Sequence, residues 1–137
     1  MNQSKIFFKE TNKSTDEIVK RIKELAKEFG FIVRYNTNMV EEYKTHNVDV
    51  RPDMKYRTIM LCIPQKAYNS VISNSKRASL IMPKQISIYK DKDTKKTIIS
   101  HLMIGSDFLK EVLPDDEMVQ KSIPASCKKV VELIKLI

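Results

Sequence analysis

Apolar residues recur along this chain with two different periods, and the switches between them mark its elements. Over residues 5–11, Lys5-Ile6-Phe7-Phe8-Lys9-Glu10-Thr11, β-favouring residues sit between polar ends, as in a first strand. The period then becomes helical, with Ile18, Ile22, Leu25, Ala26 and Phe29 on one face. Ser14, followed three residues later by Glu17, forms a capping-box signature, and Gly30 stands where a C′ glycine stops a helix. A helix is therefore predicted over 15–29. Phe31, Val33 and Tyr35 next alternate with Ile32, Arg34 and Asn36, which reads as a second strand. From Met39 to Asp53 the signal fades. Met39, Val40 and Tyr43 fit one face of a short helix, and 49–53, with Pro52, reads as an irregular link.

The strongest β signal spans 56–63. Tyr56, Thr58, Met60 and Cys62 share one face, and Arg57, Ile59, Leu61 and Ile63 share the other. The apolar run from Ile59 to Ile63 suits a central strand. Pro64 ends the ladder because it has no N–H, and the same residue suits the first turn of a helix. Ala67, Tyr68, Val71 and Ile72 repeat at helical spacing, so a short helix is predicted over 65–73. Residues 73–77, Ser-Asn-Ser-Lys-Arg, read as a polar connection. Beyond Pro83, Ile86 and Ile88 alternate inward, 91–95 forms a turn, and 96–104 returns, which predicts an antiparallel hairpin.

The last third reads as helical. Phe108, Leu109, Val112 and Leu113 form one apolar set, Pro114 opens a second piece, and Pro124 interrupts before the last. Cys127, Val130, Val131 and Ile134 make an i, i+3, i+4, i+7 stripe, which assigns Cys127 to the core. Antiparallel strands followed by terminal helices predict an α+β fold, a sheet with helices packed on one face. One domain over 1–137 is expected from length.

Composition narrows the classes. With 42% hydrophobic and 31% charged residues the chain is of globular type, and nothing approaches the ~20 apolar residues of a membrane span. Its charged start does not resemble a signal peptide, so a cytoplasmic setting is expected. The net charge of +8 favours acidic partners, but Lys supplies most of it, and Lys is less suited than Arg to specific base and phosphate recognition. Nucleic-acid binding is thus only weakly supported. Abundant Ile, Lys and Glu fits a heat-adapted or an AT-rich source alike. Cys62, Cys127, His46 and His101 show no metal-ligand spacing, and the two glycines cannot build a phosphate-cradling loop, so no metal or cofactor is expected.

The ordered set Gly30-Phe31-x-Val33, Tyr56-Arg57, Cys62-x-Pro64, Ala67-Tyr68, Leu80-Ile81-Met82-Pro83 and Ile88-Tyr89 resembles the family called domain of unknown function number 302. The resemblance implies a curved antiparallel sheet crossed by helices, a TATA-binding-protein-like arrangement, and a homodimer. It implies no agreed enzymatic activity. The family pattern usually reads Cys-Asn-Pro at the strand end and Pro-Cys before the hairpin. Here these are Cys62-Ile63-Pro64 and Pro83-Lys84, which removes the second thiol.

The candidate ligand or thiol site comprises Cys62, Pro64, Tyr56, Arg57, Pro83 and Lys84. Cys62 stands where a strand passes into a helix N-terminus, a place that favours a thiolate. A buried free cysteine packed as a small hydrophobe is the structural alternative. His101 lies on the hairpin strand without a triad partner at a recognisable spacing, and His46 is expected at the surface. Three functions fit: a homodimeric module holding a small ligand or partner protein in a sheet–helix groove, a thiol-dependent enzyme centred on Cys62, or a nucleic-acid binder using a Lys-rich surface.

Overall fold

The computed structural model describes residues 2–80 and 84–137. The first strand, β1, covers Lys5–Thr11, and helix α1 covers Thr15–Glu28. Both ends of α1 form as the sequence predicts. The Ser14 hydroxyl accepts from the Glu17 N–H at 3.1 Å, and the Glu17 carboxylate reaches back to the Ser14 N–H at 3.4 Å. Gly30 adopts φ +77°, while the Phe31 and Gly30 N–H groups donate to Ala26 and Lys27 carbonyls at 2.8 and 3.2 Å. This is a Schellman stop, and it turns the chain straight back into strand β2, Ile32–Asn38.

Helix α2 spans Met39–Thr45, strand β3 Tyr56–Cys62 and helix α3 Pro64–Ser73. Strands β4, Gln85–Lys90, and β5, Thr97–Met103, form the hairpin. Helices α4, Ser106–Val112, and α5, Glu117–Lys135, complete the described elements. All strand pairs are antiparallel in the order β1-β5-β4-β3-β2, so α1 carries the chain from one sheet edge to the other. The fold is α+β, with a five-stranded sheet and the two long helices on one face.

That face holds the core. Ile59 and Leu61 of β3, Ile86 and Ile88 of β4, and Ile99 of β5 meet Ile18, Ile22 and Leu25 of α1 and Val130, Leu133 and Ile134 of α5. Strand alternation then aims Ile6, Phe8, Leu102 and Ile32 at the opposite face, and a register irregularity between Val33 and Tyr35 in β2, which the plain alternation of the sequence does not predict, brings Tyr35 to the same face; each stays about half exposed. Across that face the register aligns Ile6 with Leu102, and Met60 with Tyr35 and Gln85. A second row runs Phe8, Ser100, Ser87, Thr58, Thr37.

Two expectations change, at Pro124 and at the 73–77 connection. Pro124 does not interrupt the last helix but lies inside α5. The helix keeps its course because it is tied down on both sides of the proline, by the Asp116 cap before it and by the buried stripe Cys127, Val130 and Ile134 after it. Helix α3 forms as predicted but buries no residue: Tyr68 and Ile72 are 63% and 69% exposed. It lies at the sheet's end, where little surface is available to cover its apolar face. The 73–77 connection continues into a 3-10 helix, Ser75–Ser79, which buries Arg77 against Asp116. Among the described residues no helix is long and apolar enough to cross a membrane.

Candidate functional site

The end of β3 brings together the sheet, α3 and α5. Leu61, one residue before the strand ends, donates its N–H to the Lys84 carbonyl at 2.9 Å, which sets Lys84 at the foot of β4. Ile63 is the N-cap of α3 and makes no side-chain capping bond, and Pro64 occupies the first turn. A pocket of about 60 Å³ opens beside this junction. Lys66, Ala67 and Ser70 of α3 form one wall, and Val119, Ser122, Ile123, Ser126 and Cys127 of α5 form the other, with Leu80 and Lys84 between them. Such a volume has room for a few water-sized groups and so for a small ligand.

Lys84 gives the pocket its character. Burial pushes its ammonium below the usual lysine range; the nearby Cys62 and Cys127 oppose that shift, while Lys66 and Lys129 reinforce it. Among the described residues no carboxylate forms an ion pair with it. The pocket thus presents a half-buried cation with three hydroxyls, Ser70, Ser122 and Ser126, on an apolar wall. An ammonium and hydroxyl donors around a small volume can hold an anionic group.

The two thiols differ. Cys127 is 1% exposed, and burial pushes its thiol upward, against the Ile104 N–H that approaches its Sγ at 3.5 Å and the charge of Lys84. It is the core residue the stripe predicts, with one edge on the pocket. Cys62 is half-buried, lies opposite Ile32 in the sheet and is absent from the pocket wall. Both cysteines are free thiols.

The other candidate residues separate from this centre. Arg57 and Tyr56 lie at the far end of β3, about 17 and 20 Å along the strand from Cys62. Arg57 donates to Asp16 at 3.1 Å and to Asn36 at 2.8 Å, which pins the start of α1 to β2 and β3. The Tyr56 ring packs 6.5 Å from that of Tyr43. Lys84 and Cys62 are therefore neighbours, whereas Arg57 joins neither. Pro83 lies outside the described residues.

Sequence reasoning misses the serines. Ser122 and Ser126 are one helical turn apart on α5, a spacing visible in the chain, but only the fold brings Ser70 opposite them. His101 is 1% exposed with Nδ1 2.8 Å from the Gln85 carbonyl, a hydrogen-bonded position inside the sheet. His46 is exposed beside Glu42. Among the described residues no group of three His, Cys, Asp or Glu side chains could hold a metal ion.

No curated protein matches the chain. A solved structure described as an uncharacterized conserved protein DUF302 from Bacillus stearothermophilus superposes with a TM-score of 0.74, at 18% identity and over 95% of each chain. At that identity the likeness establishes the fold alone. The profile of the family Domain of unknown function DUF302 matches residues 7–134. The chain belongs to that family.

Proposed function

We propose that this protein is a homodimeric binding module that holds a small anionic ligand in the pocket between α3, α5 and the foot of β4. The observation that carries this reading is the Lys84 ammonium, half-buried in a pocket whose described lining includes three hydroxyls and no carboxylate. A buried cation without a counter-charge is costly, and an anionic ligand would relieve that cost. The free cysteines suit a reducing compartment such as the cytoplasm.

The test is calorimetric titration with short-chain carboxylates and their neutral amides. The carboxylates should bind and the amides should not. Lys84→Met should abolish binding, while Cys62→Ala should leave it intact. Equal binding of carboxylates to the Lys84→Met variant would sink the proposal.

The uncovered sheet face supports the dimer. Its half-exposed Ile6, Phe8 and Leu102 on the β1–β5 edge, and Ile32 and Tyr35 on the β2 edge, are apolar surface that a second copy could cover. Light scattering should give twice the chain mass at micromolar concentration, and Phe8→Glu should halve it. A monomeric wild type contradicts the dimer.

A thiol-dependent reaction at Cys62 is the second reading. It is favoured by the partial exposure of Cys62 beside Lys84 and the start of α3. Cys62 should then alkylate faster than a model thiol at pH 7, with the buried Cys127 as the slow internal reference. Slow labelling of Cys62 removes this reading.

A further inference from the structure

A second groove, separate from the Lys84 pocket, runs between β1 and α5. It encloses about 680 Å³ over an apolar floor that includes Phe7, Met103, Pro124 and Val131. Four lysines line it: Lys5 from β1, and Lys121, Lys128 and Lys135 from α5. Its described lining contains no carboxylate, and none of the four lysines forms an ion pair with a described residue. All four are exposed. The α5 lysines recur every seven residues, so they form one stripe with neighbours about 10.5 Å apart and a total span of about 21 Å.

The spacing discriminates among anionic occupants. A ligand with one charged head would need cations gathered at one end, not spread along the groove. A nucleic-acid strand carries a charge at every nucleotide, far more densely than one per 10.5 Å. It also draws on arginine forks and open aromatic faces, whereas the described lining of this groove contains no Arg and, as its one ring, Phe7, which lies under the Lys135 ammonium at 5.9 Å. A second copy docked here by a two-fold axis would bring lysines against lysines. An amphipathic helix with Glu or Asp at every seventh position repeats its charges at the same interval as the stripe, and its apolar side would cover the floor.

We propose that the groove between β1 and α5 is a docking site for an acidic amphipathic helix of a partner protein, read by Lys121, Lys128 and Lys135. The three lysines set the register through paired charges, and the apolar side of the helix lies over the floor formed at the groove's base by Phe7, Pro124 and the edges of the buried Met103 and Val131.

The probe is a fluorescein-labelled helical peptide of about three heptads, with Glu at one heptad position and Leu on the adjoining face. Fluorescence anisotropy with the full chain should show saturable binding. A peptide of the same composition with its Glu residues scrambled should bind at least tenfold more weakly. Lys121→Glu/Lys128→Glu should weaken the designed peptide at least tenfold, and a peptide with Lys in place of Glu should bind that variant instead. Circular dichroism should confirm that the variant stays folded, since both sites are exposed. Equal binding of scrambled and heptad peptides overturns the proposal, as does loss without rescue by the charge-swapped peptide. Tighter binding of a single-stranded oligonucleotide than of the peptide assigns the groove to nucleic acid instead and also overturns it. Retention of the response in Lys84→Met keeps this site distinct from the carboxylate pocket.

Discussion

Arg77 grips Asp116 with both arms of its guanidinium: Nε donates to Oδ2 at 2.5 Å and Nη2 to Oδ1 at 2.8 Å, with both side chains buried. The same carboxylate accepts from the Asn74 amide at 3.0 Å and from the Val119 N–H at 3.1 Å, which makes it the N-cap of α5. Four donors thus lock the connection after α3 to the start of α5, and the two walls of the Lys84 pocket are held at a fixed separation.

Removing one partner leaves the other charge buried and unpaired. Asp116→Ala should destabilise the fold by about 3 kcal/mol or more in urea denaturation. The pair should also couple, so that Arg77→Met with Asp116→Ala costs less than the sum of the single changes. Arg77 above all, with the other donors, holds the Asp116 carboxyl at about 2, against 3.8 for a free side chain. A depressed folded value means that the unfolded chain takes up the proton first. The pair's stabilisation is full above 3.8 and is lost as pH falls through about 2. A wild-type acid transition no steeper than that of the Ala variant contradicts this assignment.

Gly105 sits against the N-terminal segment. A methyl group there would fall on the Asn2 carbonyl oxygen and within 2.5 Å of the Gln3 carbonyl carbon. The Gly105 N–H also donates to the Ser4 hydroxyl at 2.9 Å, and Asp107 donates its N–H to the Asn2 carbonyl at 2.9 Å. Gly105→Ala should therefore cost about 2 kcal/mol and push the segment before β1 away from α4. Limited proteolysis should then cut that segment faster, and an unchanged cleavage rate would count against the close approach.

How much of this is readable in the chain depends on how local its cause is. Helix α1 is legible because Ser14, Glu17 and Gly30 act within a few residues of its ends, and the hairpin is legible because Ile86, Ile88 and Ile99 alternate. Pro124 misleads for the same reason: the local rule against proline in a helix is outweighed by the tertiary contacts on both sides of it. Arg77 and Asp116 are 39 residues apart, and no short-range pattern joins them. Lys84 and Cys62 can be suspected from the strand end, but Ser70, Ser122 and Ser126 become a wall only when α3 and α5 meet. Arg57 shares a strand with Cys62, and strand length alone keeps the two apart.

His101 is a buried neutral ring, because burial pushes its value below the ordinary 6.5 against the pull of the Gln85 carbonyl. Among the described residues its Nε2 has no partner, so a second ring proton would be buried without an acceptor. The unfolded chain protonates first, and stability contributed by the neutral ring is full above 6.5 and declines as pH falls toward the lower folded value. Thermal denaturation of the wild type should show a falling Tm between pH 7 and pH 5. His101→Leu should be flatter over that range, and an equal slope in both proteins removes His101 as the cause.

Lys84 makes the opposite end of the pH scale informative about function. Its folded value lies below 10.5, chiefly from burial, so the unfolded chain holds the proton to higher pH than the folded one. Stability linked to this group is therefore full above 10.5 and is lost as pH falls through the lowered folded value. The comparison with Lys84→Met isolates it from the other lysines, which titrate in both proteins. A bound carboxylate reverses the preference, because it favours the charged amine. Carboxylate affinity should then weaken as pH rises through the lowered value, and binding at and just above that value, where the free amine is partly neutral, should be accompanied by proton uptake in calorimetry across buffers of different ionisation enthalpy. If Lys84 were only packing against α5, neither the proton uptake nor the loss of affinity at high pH would follow, and a pH-independent affinity would remove the ammonium from the recognition of the ligand.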